Sequence, residues 1–313
     1  MILLGILAAS GAGVTGGVAG YIAGGETSGG GRSSSVDKFA FPSDSRSTLG
    51  TGLSATKSYG VAGMANSAVA GYAGGGWVGG TSSTVDKFAF PSDSRTTLGT
   101  GLSFSRYTSG MSNSGVAGYF GPGSTDGNSF PSSRRTTVDK FAFPSDSRTT
   151  LATGLSVNSL NSIGMSNSGV AGYFTGGGST SVDKFAFPSD SRTTLATGLS
   201  GAGEWGSGMS NSGTAGYFAL GIVGGSKVST VDKFAFPSDS RTTLGTGLSA
   251  ATSFSSGMAD SGVAGYFGGG ATTASSEVST VDKFAFPSDS RTTLGTGLSS
   301  VRAFTSGFAN EVV

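Results

Sequence analysis

Glutamate occurs at four places in the chain, Glu26, Glu204, Glu277 and Glu311, and histidine and cysteine are absent. Without imidazole or thiol there is no histidine base, no cysteine nucleophile, no disulfide and no usual zinc ligand. A glycosidase needs a carboxylate pair at a set separation, and the four scattered glutamates form no pair in the sequence. Gly-rich runs such as Gly29-Gly30-Gly31 lack the strand-to-helix setting of a phosphate loop. A single aspartate such as Asp126 is a weak calcium ligand. No catalytic constellation stands out, and the chain reads as a non-enzymatic protein without cofactor or metal.

The remaining chemistry is of two kinds. The first is repeated. The stretch Val-Asp-Lys-Phe-Ala-Phe-Pro-Ser-Asp-Ser-Arg occurs six times, starting at Val36, Val85, Val138, Val182, Val231 and Val281. Its charges cancel within each copy, as Asp37 and Asp44 do with Lys38 and Arg46. Structural pairing and turn bonding account for them. The second kind is not repeated. Between the blocks stand Tyr59, Trp77, Phe104, Tyr107, Phe130, Trp205, Phe254 and Phe304, with Lys57, Arg106, Arg134, Arg135, Glu204 and Arg302. Exposed aromatics beside polar groups suit a sugar ring or a protein partner. The alternative is that these rings cap the core beneath long loops.

The elements that position these residues follow from the repeat. The steps between copies are 49, 53, 44, 49 and 50 residues, a period that signals an array, solenoid or propeller. Each copy alone is too short to bury a core, so the 313 residues form one unit. The 57 glycines suggest disorder, but 21 phenylalanines, twelve of them at fixed places in the block, imply regular packing instead. The copy that begins at Gly110 has four extended pieces. Strand a is Gly110-Met111-Ser112-Asn113, strand b follows over Gly115 to Phe120, strand c over Val138 to Phe143, and strand d over Thr149 to Ser156. In strand c, Asp139, Phe141 and Phe143 alternate with Val138, Lys140 and Ala142. The intervening Pro144-Ser145-Asp146-Ser147 has turn chemistry. Strand d carries Leu151 and Leu155 in step. Strand b, with its two glycines, leaves room for a neighbour's Phe rings. No helical periodicity or capping box stands out.

Four strands per ~50 residues make one blade of a β-propeller. The first strand b lies near Tyr21 and the last strand a near Gly307. The expected fold is therefore an all-β, six-bladed propeller over residues 13–313, closed by the C-terminal strand a joining the N-terminal blade. Residues 1–12 are apolar, lack a basic region and fall short of the ~20 residues that span a bilayer. They are expected to be a strand or plug packed on the fold, or an anchor in a partner protein.

Tyr21-Ile22-Ala23-Gly24-Gly25 followed by Val36 to Pro42, and Tyr72 to Gly75 followed by Val85 to Pro91, resemble the kelch repeat. The resemblance covers nearly the whole chain from about Gly13 and implies four-stranded blades. It departs in lacking the family's Trp, where Leu49, Leu98, Leu151, Leu195, Leu244 and Leu294 stand. The segment Ser43-Asp44-Ser45-Arg46-Ser47-Thr48 is similar to the Asp-box turn of sialidase-like propellers, itself structural, but without its Gly and aromatic. Fold of this kind does not give function.

In an a-b-c-d meander the b–c and d–a loops share one end. The copies are closely similar over strands a to d and differ at these two loops, so variation falls on one face of the disc, where loops on a rigid scaffold carry binding residues. The expected role is a structural or adhesive module that binds a cell-surface glycan or protein receptor through that face. A net charge of +1 gives no pull on nucleic acid. Nearly identical repeats and a compact, Cys-free composition suit a tailed-phage tail or fibre component, on a virion or extracellular surface beside other virion structural proteins. The alternatives are an assembly scaffold docking other structural proteins and a glycan-cleaving propeller enzyme.

Overall fold

In the computed structural model the chain is described over residues 18–126, 133–273 and 276–310. The apolar segment 1–12 and Phe130 lie outside those residues. The fold is all-β, and no helix occurs among the described residues. None is therefore long and apolar enough to cross a membrane.

Six four-stranded antiparallel sheets repeat one pattern among the described residues. In the third sheet strand a is Gly110–Asn113, b is Ala117–Phe120, c is Asp139–Ala142 and d is Ser147–Thr150. Met111, Tyr119, Lys140 and Thr149 stand in one row across it. The first sheet takes strand a from the far end of the chain. Ser306–Asn310 pairs with Ala19–Ala23, from Ala19 opposite Asn310 to Ala23 opposite Ser306.

Strand d differs from expectation. It comprises Ser147–Thr150, polar and largely exposed, and the leucines follow it. As the outermost strand it has no apolar face to advertise. Leu155 is buried in the segment that returns toward the centre, where its N–H donates to the Thr136 carbonyl.

Sheets pack face to face, so strand b is buried on both sides. Each apolar cluster draws on two neighbouring sheets, as Met111, Tyr119 and Val138 do with Phe174, Phe185 and Phe187. Tyr119 stacks on Phe187 of the next sheet at 5.3 Å, and the same pair recurs through Tyr266 on Phe41. The glycines of strand b give room first to a thioether in five sheets. A Cβ on Gly118, Gly172, Gly216, Gly265 or Gly20 would strike the sulfur of Met64, Met111, Met165, Met209 or Met258. Gly71 faces the ring of Phe308 and Gly74 that of Phe120, while Gly20 and Gly265 also meet the rings of Phe41 and Phe286. Methionine's flexible chain fills such narrow gaps.

The repeated charges tie neighbours together. Asp190, in the c–d turn of the fourth sheet, accepts from the Tyr119 hydroxyl at 2.7 Å and from Lys140 Nζ at 2.6 Å. The same three groups join each sheet to the next, and Tyr266 and Lys283 of the sixth sheet reach Asp44 of the first. The six aspartates at this position have φ of 56–57°, a left-handed conformation that Asp tolerates in turns. Asp139, at the head of strand c, is fully buried. It accepts from Thr150 Oγ1 and from both the N–H and the hydroxyl of Ser103 in the preceding d–a loop.

The innermost strands touch around a central channel. A Cβ on Gly110 would overlap the carbonyl oxygen of Gly63, and the relation runs on through Gly164, Gly208 and Gly257 to Gly307, whose carbonyl meets Gly63.

Candidate functional site

Each d–a loop enters strand a at the mouth of the channel. Three residues before the inner glycine stand Tyr107, Asn161, Trp205, Phe254 and Phe304. Tyr59 takes this place in the second sheet, where the pairing shifts between Ser58 and Val61. Tyr59, Trp205, Phe254 and Phe304 have φ of 48–62°, unusual for bulky side chains and clustered at functional sites in general. Phe254 N–H donates to the Trp205 carbonyl, and Phe304 N–H to that of Phe254, both at 2.7 Å.

These loops, with Trp77 at the end of strand b Ala70–Trp77, bring six of the expected site residues into one aromatic cluster. Phe254 stacks on Phe304 at 3.9 Å, Phe304 lies 4.2 Å from Tyr59, and Trp205 is edge-on to both phenylalanines at 5.2 and 5.6 Å. Tyr107 joins Trp205 to Tyr59 and Trp77. Trp205, Phe254 and Phe304 cover a channel space of about 110 Å³ beneath them. All but Tyr107 are only half-buried, so the rings cap the channel and present a surface as well.

Above the cluster on one side lies a groove of about 710 Å³. Its walls are b–c hairpins of the fifth, sixth and first sheets, which pair Ile222–Val223 with Ser226–Lys227, Ala271–Thr273 with Ser276–Glu277, and Glu26–Thr27 with Gly31–Arg32. Bridges from Glu26 to Ala303 and from Ala271 to Ser253 fix two hairpins to the d–a loops. Tyr59, Phe254 and Phe304 line the groove together with Glu26, Lys227 and Glu277. Lys227 Nζ lies 5.7 Å from the Phe254 ring centroid. Burial lowers its pKa against the opposing pull of Glu277. Burial and the Glu26 carboxylate push the Tyr59 hydroxyl up to about 12. Burial first, then Asp126 and Glu26, push Tyr107 up to about 12.

The other expected residues are placed elsewhere. Arg106 and Arg302 are fully buried rather than on the binding face. Arg106 Nη2 holds Asp139 at 2.9 Å, and Arg302 pairs with Asp37 while donating to the Gly24 and Ser35 carbonyls. Lys57 is likewise buried, 3.8 Å from Asp86. A charge buried with its partner has no freedom to meet a ligand. For Asp139, burial would raise the pKa, but Arg106 and the Ser103 and Thr150 bonds outweigh it and hold it low. Phe104 is exposed and stands outside the aromatic cluster. Glu204 is half-buried in a short strand beside Ile222, and Arg134 bridges to Ser124 in another b–c loop, next to Arg135.

Glu26, Lys227 and Glu277 were not singled out from the sequence as site residues. A signal exists: Lys227 and Glu277 both stand four residues ahead of the repeated block, in the otherwise matching Ser-Lys-Val-Ser-Thr and Ser-Glu-Val-Ser-Thr.

No family model and no curated protein matches the chain. Its shape is similar to the solved structure of YjhT, with a TM-score of 0.66 at 10% identity over 84% of this chain and 91% of that one. An architecture shared with 423 solved chains marks a fold and leaves activity open.

Proposed function

We propose that the chain is a closed six-bladed β-propeller acting as a non-enzymatic binding module, whose variable-loop face takes a cell-surface glycan. The observation that carries the reading is the contiguous aromatic cluster at the channel mouth, with Tyr59, Trp77, Trp205, Phe254 and Phe304 half-buried around the buried Tyr107. Flat apolar faces flanked by polar groups match a pyranose, which offers an apolar face and a rim of hydroxyls. Closure is supported by Asn310 facing Ala19 and by the bonds of Tyr266 and Lys283 to Asp44. An adhesive role in a tail or fibre of a virion is the setting this reading favours.

The test is a glycan-array screen of the full chain beside Trp77→Ala/Trp205→Ala and a Phe104→Ala control. Binding present in the wild type and the control, and absent from the double variant at unchanged melting temperature, is the expected result. Equal binding by the double variant rejects the site.

A second reading, an assembly scaffold, is favoured by the opposite face. Val69, Val116, Val170 and Val263 are exposed at equivalent a–b turns, and Val170 lines a funnel of about 940 Å³ at that end. Their recurrence at one end of the molecule is the observation that favours a protein contact there. Glycan silence together with capture of another structural protein through that face is the outcome that favours it.

A further inference from the structure

The groove beside the aromatic cluster is asymmetric in charge. Its lining holds the carboxylates of Glu26 and Glu277 against the single ammonium of Lys227, a formal balance of −1 for the lining residues; Arg32, opposite Glu26 in the wall hairpin, is not among the lining and extends its guanidinium toward Gly79. The nearby guanidinium of Arg302 does not correct this. It lies beneath the groove, fully buried and held by Asp37 and two backbone carbonyls. Lys57, in the loop that carries Tyr59, is buried beside Asp86 and donates to the Thr84 carbonyl.

Glu277 adds a directional requirement. Its Oε2 is buried and has no hydrogen-bond partner among the described residues. A buried carboxylate oxygen left unpaired is costly, and a ligand hydroxyl or ammonium supplies the missing donor. Tyr59, Phe254 and Phe304 meanwhile present ring faces, whose negative quadrupole attracts a cation and repels an anion. The volume of about 710 Å³ falls within the ~300–1,000 Å³ range of small-ligand sites.

We propose that the groove selects sugars without negative charge, amine-bearing ones above neutral ones, and that Glu277 is the acceptor that orients them. This deepens the glycan-binding reading of the same face and rests on it. Carboxylated or sulfated sugars bring a like charge to Glu26 and Glu277, and such a juxtaposition weakens binding by about tenfold or more.

The experiment uses the full chain and immobilised saccharides matched except for one group: a free amine, a hydroxyl or a carboxylate at the same carbon. Wild type, Glu277→Gln and Trp205→Ala are compared at low and high salt. The expected order for the wild type is amine, then hydroxyl, then carboxylate, with the amine preference reduced by salt. Glu277→Gln keeps the shape of the side chain, weakens the amine and hydroxyl ligands and narrows the discrimination against carboxylate. Carboxylate preferred, with binding still lost in Trp205→Ala, overturns the charge selectivity and leaves the glycan site standing. Selectivity unchanged in Glu277→Gln overturns the role of that residue. Binding of no saccharide at all removes the glycan reading itself.

Discussion

Tyrosine shows most directly how one residue type serves two purposes here. Tyr21, Tyr72, Tyr119, Tyr173, Tyr217 and Tyr266 lie between sheets, and burial followed by the bonded aspartate raises each pKa far above the ordinary value. Tyr59 and Tyr107, raised to about 12, line the mouth instead. All eight tyrosines of the chain are accounted for. In the unfolded chain they ionise near pH ~10. Below that pH both states hold the same protons, so stability does not vary on their account. Above it the unfolded chain releases protons that the folded chain keeps, and stability falls as pH rises. The phenolate absorbance is therefore expected to stay flat through pH ~10 and then rise together with loss of tertiary circular dichroism. A smooth titration near pH ~10 in the folded protein contradicts the buried Tyr–Asp contacts. At this scale the sequence was legible where residues recur and ambiguous where they do not. The repeated Asp and Lys announced internal pairing. Arg106 and Arg302 looked like loop cations, because nothing local reveals that a buried Asp139 or Asp37 awaits them from the next sheet.

Among the strands, glycine does what no other residue can. The inner strands approach so closely that a Cβ on Gly208 would overlap the Gly164 carbonyl oxygen. Backbone cannot yield as a flexible side chain does. Gly208→Ala is expected to cost at or above the upper end of the ~1–3 kcal/mol typical of overpacking. Gly245→Ala, where a Cβ meets nothing within 4 Å, is the control expected to be near neutral. Denaturant unfolding of both variants separates the two; equal stability argues against the tight inner ring. Strands a, b and c were readable because buried residues recur in them at fixed places. Strand d was shifted by a few residues, because the leucines that draw attention belong to the following segment and the strand itself, Ser147–Thr150, is polar. The choice of Met over Phe beside the strand-b glycines depends on a gap between sheets, which periodicity within one copy does not describe.

For the molecule as a whole, the first sheet is the most exposed to error, since its inner strand comes from the other end of the chain. A chain ending at Thr305 lacks Ser306–Asn310, and Ala19–Ala23 keeps its pairing with Val36–Ala40 but loses its other antiparallel partner, leaving an open edge. Phe308 also leaves the cluster in which it stacks on Tyr21 at 5.1 Å. An unpaired, apolar strand edge promotes aggregation. The truncated chain is expected to be aggregated on size exclusion and to regain solubility when a peptide covering 306–313 is supplied in trans. A monomeric truncated chain with an unchanged melting curve shows that the inner strand is dispensable. The number of copies and the order of strands were legible because the period is long and regular. The groove was not, because its walls come from three copies and its polar groups from hairpins whose sequences differ.

One set of contacts between sheets recurs at every junction, a Tyr and a Lys on an Asp. That tie alone does not say which neighbour is right. What distinguishes the correct partner during folding is proximity along the chain. Adjacent sheets close the shortest loops and lose the least entropy. Docking is therefore expected to spread from neighbour to neighbour, as in other linear arrays. The contact of Tyr266 and Lys283 with Asp44, separated by more than two hundred residues, comes last. Every earlier docking step narrows the distance it has to cross, so this most entropy-laden contact is expected to form only after the sheets between them have docked.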